Sequence, residues 1–415
     1  MEQELDLLRL LWTRLAARET ALTLQDGRPC RIDYPGEEDP ASGTFRAAEL
    51  TIDGIRRRGD IWFGPELPAD RTPYVVLQIV PAPAPSIYLR DGERLPQLVM
   101  PAAEEVRRAV ASLQTGAAAY ECGQWLGELP AARRIGLLDR LLVERLDRKC
   151  RDVMRLFDAC GGDWSQTLYA MLFRALGGNR NREAYLDLAS RATYPMVLRE
   201  RSSMEQVEAL LLGTSGLLEG CFFDDYIRRL NDHFRYLARK YDITPMYAGA
   251  WESSRIRAQN RPVTRIVQLA AVVAGCDFLF DRVVGAASRE ALHRLFDVPV
   301  SPYWTTHYVP DGTGNRCPHH IGPEKADLLI INAAVPVMFA FGSRTGKESI
   351  KASALELLAS LPAENNAITR GWSGTGVPVR SALDSQALIQ LRNEYCTPHR
   401  CAACRIGRSL IKNRR

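Results

Sequence analysis

Three cysteines near the carboxyl end, Cys396, Cys401 and Cys404, stand at Cys-x4-Cys-x2-Cys with His399 between them. Thiolates are soft, anionic donors for zinc or iron, and a two-residue gap lets two sulfurs face one ion. A structural zinc site closes with four ligands. His399 is the nearest candidate for the fourth, and Cys317 with His319 and His320 forms a second candidate group in a Pro/Gly-rich loop. The spacing also matches part of plant-type iron–sulfur ligation. Zinc is the expected cofactor, an iron–sulfur cluster the alternative. The plain reading is three buried or free thiols at a helix start, because Arg405-Ile406-Gly407 continue the segment.

A second kind of chemistry is anion binding. Arg257, Asn260, Arg265 and Gln268 surround a predicted helix start at Pro262, a residue suited to the first helical turn. Arg265 and Gln268 are three apart and share a face. Free backbone N–H groups at such a start attract anions. His307, Asn366 and Gln386 lie in further polar runs, and Arg405 and Arg408 in a basic tail. Together they form a candidate anion or nucleic-acid site. For any one of them the plain reading is a side chain satisfying the backbone of a long loop.

Several familiar sites fail on inspection. Gly342 to Glu348 resembles a phosphate loop but is one residue short between its glycines, and Glu348 stands where a hydroxyl should hold magnesium. It reads as a loop before a helix. Gly371-Trp372-Ser373-Gly374-Thr375 lacks the last glycine of a nucleophile elbow. The six histidines include no His-Glu-x-x-His pair.

The elements that would position these groups follow from periodicity. Residues 20–100 read as β-rich, with a β-branched run at 74–80. From Pro101 the period becomes helical, with leucines at three and four spacing over 131–159. Leu5, Leu8, Trp12 and Leu15 predict an amphipathic helix at the start. The expected architecture is α+β: a small α/β domain, 1–115, then a large helical domain, 116–415. The 415 residues and 46% hydrophobic content suit two or three globular domains. Residues 392–415 hold seven cations and one acid, a net of +6, while the chain sums to +5 and the remainder to −1. Such a tail suits phosphate. The excess of arginine over lysine, 48 to 6, is chain-wide and carries no such meaning. Ten scattered cysteines are no disulfide framework, so a reducing cytoplasm is expected. The acidic first residues are unlike a signal peptide, and the apolar run 328–341 is too short for a bilayer, so no membrane role is expected.

Leu24-Gln25-Asp26-Gly27, Ile32 to Gly36, Glu208 to Gly213, the 257–270 segment, Tyr303 to Tyr308, Leu361 to Asn366, Ser385 to Leu388 and the cysteine segment occur in order. In this the chain resembles the domain of unknown function 2851 family over nearly its full length. The resemblance implies a restriction-endonuclease-like amino-terminal domain, with Gly-Pro-Asp-Phe and Gly-Asp-Val-Glu-Ile-His motifs similar to the acidic centre of PD-(D/E)XK nucleases. There, carboxylates hold magnesium and water attacks phosphate. This chain has Ser42-Gly43-Thr44-Phe45 and Gly59-Asp60-Ile61-Trp62-Phe63-Gly64 instead, so Thr44 and Trp62 replace the acids. Asp60, Glu66 and Asp70 are the remaining carboxylates nearby. The reading is therefore a non-catalytic, nucleic-acid-associated binding protein with DNA or RNA as partner. The alternatives are a metal-dependent phosphodiesterase using Asp60, Glu66 or Asp70, and a protein-interaction or assembly factor.

Overall fold

The computed structural model describes residues 2–16, 21–39, 42–68, 74–89, 92–101, 104–114, 118–220, 223–254, 256–312 and 317–413. An amino-terminal sheet is followed by a large helical region, as the α+β expectation had it.

Among the described residues seven strands form the sheet: β1 (Leu22–Thr23), β2 (Pro29–Tyr34), β3 (Glu37–Glu38), β4 (Phe45–Ile52), β5 (Ile55–Phe63), β6 (Val75–Val80) and β7 (Gln97–Val99). The spatial order is β1-β2-β4-β5-β6-β7, with β3 also paired to β4. The hairpin between β4 and β5 turns on Asp53 and Gly54, at φ of 49° and 79°. An Asp-Gly pair supplies the two left-handed residues that the tightest hairpin requires. β4 turns Phe45, Ala48, Leu50 and Ile52 inward. An irregularity between Phe45 and Ala48, where Ala47 takes a φ of 53°, keeps these residues on one face. β6 and β7 join in parallel, and β6 is buried almost throughout, as a parallel strand covered on both sides should be.

Helix α1 (Glu2–Ala16) lays Leu8 and Trp12 on this core, and the Trp12 indole donates to the Pro35 carbonyl at 3.1 Å. Its other buried side, Leu7 and Leu10, packs with Val106, Val110 and Leu113 of α2 (Glu104–Leu113) and with Ala402 and Ile411. The carboxyl-terminal segment thus completes the core of the amino-terminal unit. That unit comprises residues 1–141, 366–379 and 387–415; the second comprises 142–365 and 380–386. These units do not follow the division at residue 115, because the last helices have their apolar partners on α1 and α2. The first unit also contains α3 (Ala118–Glu128), α16 (Ala367–Gly374) and α18 (Arg405–Asn413), and the boundary falls inside α4 (Ala131–Ala159).

The second unit is helical. Its elements are α5 (Trp164–Gly177), α6 (Arg182–Arg191), α7 (Tyr194–Glu200), α8 (Met204–Thr214), α9 (Asp225–Tyr241), α10 (Pro262–Gly275), α11 (Leu279–Val284), α12 (Arg289–Phe296), α13 (Pro323–Leu329), α14 (Val335–Thr345) and α15 (Glu348–Ser360). α17 (Ala382–Leu391) crosses the second boundary. α10 begins on Pro262 and is buried from Pro262 through Val273. α8 and α9 approach closely because Gly213 has no side chain to meet the Phe234 ring.

A π turn, Ile330–Ala334, joins α13 to α14 in one continuous helix. Pro323–Thr345 spans 23 residues, longer than the apolar run expected from the sequence, and is long and apolar enough to cross a membrane. Its most apolar window is 72% buried inside the protein. The presumed loop at 342–348 is the end of α14, a left-handed Gly346 at φ 69°, and the start of α15.

Candidate functional site

The motif-bearing strands pair antiparallel, with Phe45 opposite Ile61, so Thr44 and Trp62 flank one register position. Thr44 is buried. Its hydroxyl lies 2.7 Å from that of Ser42, which donates to Asp39 at 2.9 Å, and Asp39 also pairs with Arg46. The Trp62 indole donates to the Glu66 carbonyl at 2.6 Å. Asp60 accepts the Ala47 N–H at 3.2 Å, and Glu66 is exposed. Asp70 lies outside the described residues. Thr44 and Trp62 are thus both engaged in neutral hydrogen bonds.

The cations beside this place are spoken for. Arg9 donates to the Gly43 carbonyl at 2.8 Å and to Asp6 at 2.7 Å. Asp6 is fully buried and also receives Arg400 at 2.9 Å and 3.1 Å. Arg408 grips Glu38 through both terminal nitrogens at 2.8 Å and 2.9 Å. Arg408, expected to hold anions, is therefore committed to a carboxylate; Arg405 is exposed. The sheet carries the freer cations. Arg31 is opposite Thr51, Thr51 is opposite Arg56, and Arg58 is opposite Glu49. The side chains of Arg31, Arg56 and Arg58 are 69%, 71% and 72% exposed.

In the helical unit three of the expected anion ligands contact one another. Arg265 is buried and reaches Gln268 and Asn260, each at 2.6 Å, and Gln268 donates to the His320 carbonyl at 2.9 Å. Burial holds the Arg265 pKa below its usual value. This triad ties the start of α10 to the loop at 320. Arg257 is exposed. The His307 ring stacks on Tyr303 at 4.1 Å, and Tyr303 on Tyr226 at 4.7 Å. In the other unit, Asn366 caps α16, accepting from Ile368 N–H and Thr369 N–H.

Gln386 belongs to a cluster that spacing alone did not reveal. Its carbonyl oxygen accepts from buried Arg145 at 2.5 Å, and its amide donates to Glu364. One turn along α4, Lys149 donates to the Ile331 carbonyl at 3.1 Å and to Asn332 at 3.0 Å, inside the π turn. Burial, then the charge of Arg145, pushes the Lys149 amine well down. The available signal was that Arg145 and Lys149 interrupt the apolar stripe that Leu138, Leu142 and Leu146 lay along α4. Glu208 was likewise missed. It is fully buried and accepts from Ser301 at 2.5 Å, Tyr226 at 2.6 Å and Trp304 at 2.8 Å. Burial raises its carboxyl pKa despite these donors.

The three carboxyl-terminal thiols are half-buried or buried. Burial first, then neighbouring sulfurs, pushes Cys396 up to about 12; burial pushes Cys404 up to about 11. His399 is exposed at a φ of 57°, and its carbonyl accepts from Gln114 at 3.0 Å. Cys317 is buried with the hydroxyl of Tyr308 beside it, while His320 lies 3.6 Å from Asp297. Among the described residues no three His, Cys, Asp or Glu side chains are drawn together as tightly as a bound ion requires.

The family described as "Protein of unknown function (DUF2851)" matches residues 5–367. No curated protein and no solved structure matches the chain.

Proposed function

The chain belongs to the DUF2851 family of unknown function, and from that premise we propose that it is a non-catalytic, nucleic-acid-associated binding protein. One observation carries the reading. Thr44 and Trp62 occupy neighbouring strand positions where paired carboxylates would hold a metal, and both are engaged in neutral hydrogen bonds. The same sheet presents exposed Arg31, Arg56 and Arg58, whose partners Asp33 and Glu49 are surface carboxylates that a polyphosphate would displace. Surface ion pairs are worth only about 0–1 kcal/mol, so exchanging them for phosphate contacts costs little. Arg405 on α18 adds a further exposed cation.

The test is a filter-binding titration against duplex DNA and single-stranded RNA over a salt series. Affinity should fall log-linearly with salt, and the triple variant R31Q/R56Q/R58Q should flatten the duplex slope by up to about 3. No affinity for either nucleic acid at low salt removes the proposal. Magnesium-dependent cleavage abolished by Asp60→Asn would replace it with a phosphodiesterase.

A further inference from the structure

We propose that the corner between α11 and α12 is a binding groove for an organic carboxylate with an apolar body, its charged end held by Arg282 and Arg294. The inference is independent of nucleic-acid binding, and every residue it uses belongs to the second unit.

The two helices spend their faces on different tasks. α11 buries Leu279 and Val283, and α12 buries Leu292 and Phe296. A second face of α12 is committed to α13. Arg289 donates to both oxygens of Asp327, at 2.8 Å and 2.7 Å, and His293 meets the same carboxylate at 2.7 Å. That leaves Ala291, Arg294 and Leu295, which are spaced i, i+3 and i+4 and so share a third face. From α11 come Asp281, Arg282 and Gly285. Between the two sets lies a groove of about 450 Å³. Small organic ligands occupy pockets of about 300–1,000 Å³.

The space follows from the sequence. Gly285, Ala286 and Ala287 form the corner and Ala291 stands on the first turn of α12, so the floor carries nothing larger than a methyl group. Leu295 adds one larger apolar wall.

The charge of the groove is unspent. Among the described residues no ion pair or hydrogen bond engages the Arg294 guanidinium, and that of Arg282 has only the Cys276 sulfur at 3.7 Å. Asp281 lies in the same lining yet pairs with neither arginine. Two cations and one anion leave the lining at +1, the complement of a single carboxylate. A guanidinium presents a planar fork that meets both oxygens of such a group at once. The small-residue floor and Leu295 then take the apolar body out of water.

α11 also opens on a strained residue. Phe278 precedes it at a φ of 54° with 78% of its surface exposed, and its carbonyl accepts the Arg282 N–H at 2.9 Å. A bulky side chain at positive φ is an outlier, and such strain gathers at ligand clamps.

The experiment is isothermal titration calorimetry of the full chain with octanoate, acetate and octanol. Octanoate should fill a single saturable site with a Kd below about 1 mM. Acetate lacks the apolar body and octanol lacks the charge, so each should bind at least about tenfold more weakly. Arg282→Gln and Arg294→Gln should each weaken octanoate at least about tenfold. Ala287→Phe, which fills the groove and leaves its charge alone, should do the same by at least about tenfold. All three positions are exposed, and thermal unfolding checks that each variant folds as the wild type does. Absence of saturable octanoate binding below about 1 mM overturns the proposal. So does acetate or octanol binding as tightly as octanoate, or an affinity that both arginine variants leave unchanged.

Discussion

Replacing Glu208 with alanine is expected to cost the helical unit about 3 kcal/mol. The carboxylate takes three donors: one oxygen accepts from Ser301, the other from Tyr226 and Trp304. The Ser301 and Tyr226 hydroxyls can rotate toward other acceptors. The Trp304 indole cannot, because Trp304 is 2% exposed and its N–H has one direction. A buried donor left unpaired costs about 1–3 kcal/mol, and loss of the charged acceptor from the two hydroxyls adds about 1 kcal/mol more. Glu208→Gln should be milder, about 1 kcal/mol, since an amide oxygen can still accept from Trp304 and Tyr226. For a unit of this size, 3 kcal/mol corresponds to about 6–12 °C in Tm. The sign with pH is also fixed. Burial raises the folded pKa above the ordinary carboxyl value of 4.5, so the native state holds its proton longer than the unfolded chain. This residue's contribution therefore falls as pH rises from 4.5 through the folded value and stays low above it. Thermal unfolding followed by tryptophan fluorescence, for wild type, E208Q and E208A at several pH values, reads all of this. An E208A variant as stable as wild type, or a larger loss in E208Q than in E208A, refutes the reasoning.

Asp327 offers the opposite sign: burial pulls its carboxyl pKa up, but hydrogen bonds and charge from Arg289 and His293 outweigh this and hold it below 3.8. Asp327→Asn should lose about 2 kcal/mol at neutral pH, and the gap to wild type should close as pH falls through that lowered value, read as urea midpoints. Gly213→Ala places a Cβ 2.0 Å from the Phe234 ring and should cost about 2 kcal/mol by prying α8 from α9, with Gly213→Val worse, both measurable by calorimetry. Thr44→Asp combined with Trp62→Glu would set two carboxylates at adjacent strand positions; millimolar magnesium should then raise the Tm of the variant and leave wild type unmoved.

Much of the helical region was legible because its apolar stripes are regular. The helical spacing over 131–159 appears as one helix with those bounds. α3, α7, α11 and α16 were not read. α11 has six residues and α7 seven, and segments so short carry too few turns to establish a period. In the sheet, β5 opens with Ile55-Arg56-Arg57-Arg58, an exposed run with no apolar alternation, so pairing with β4 rather than its own pattern makes it a strand. Arg265, Asn260 and Gln268 do meet, yet on one another, because a buried guanidinium needs acceptors and side-chain amides supply them. Arg145 and Lys149 escaped notice because their partners, Gln386 and Asn332, are remote along the chain.

The first compact unit draws on both ends of the chain, with Leu7, Leu10, Val106 and Val110 sharing a core with Ala402 and Ile411. A ribosome delivers those two sets far apart in time, because most of the sequence lies between them. At roughly 5–20 residues per second, the early apolar residues wait on the order of tens of seconds for their late partners. The second unit is made within that interval, its last residues, 380–386, just before the final segment of the first. The side of α1 and α2 that meets Ala402 and Ile411 is covered only then, which makes the unit that starts first the one that finishes last.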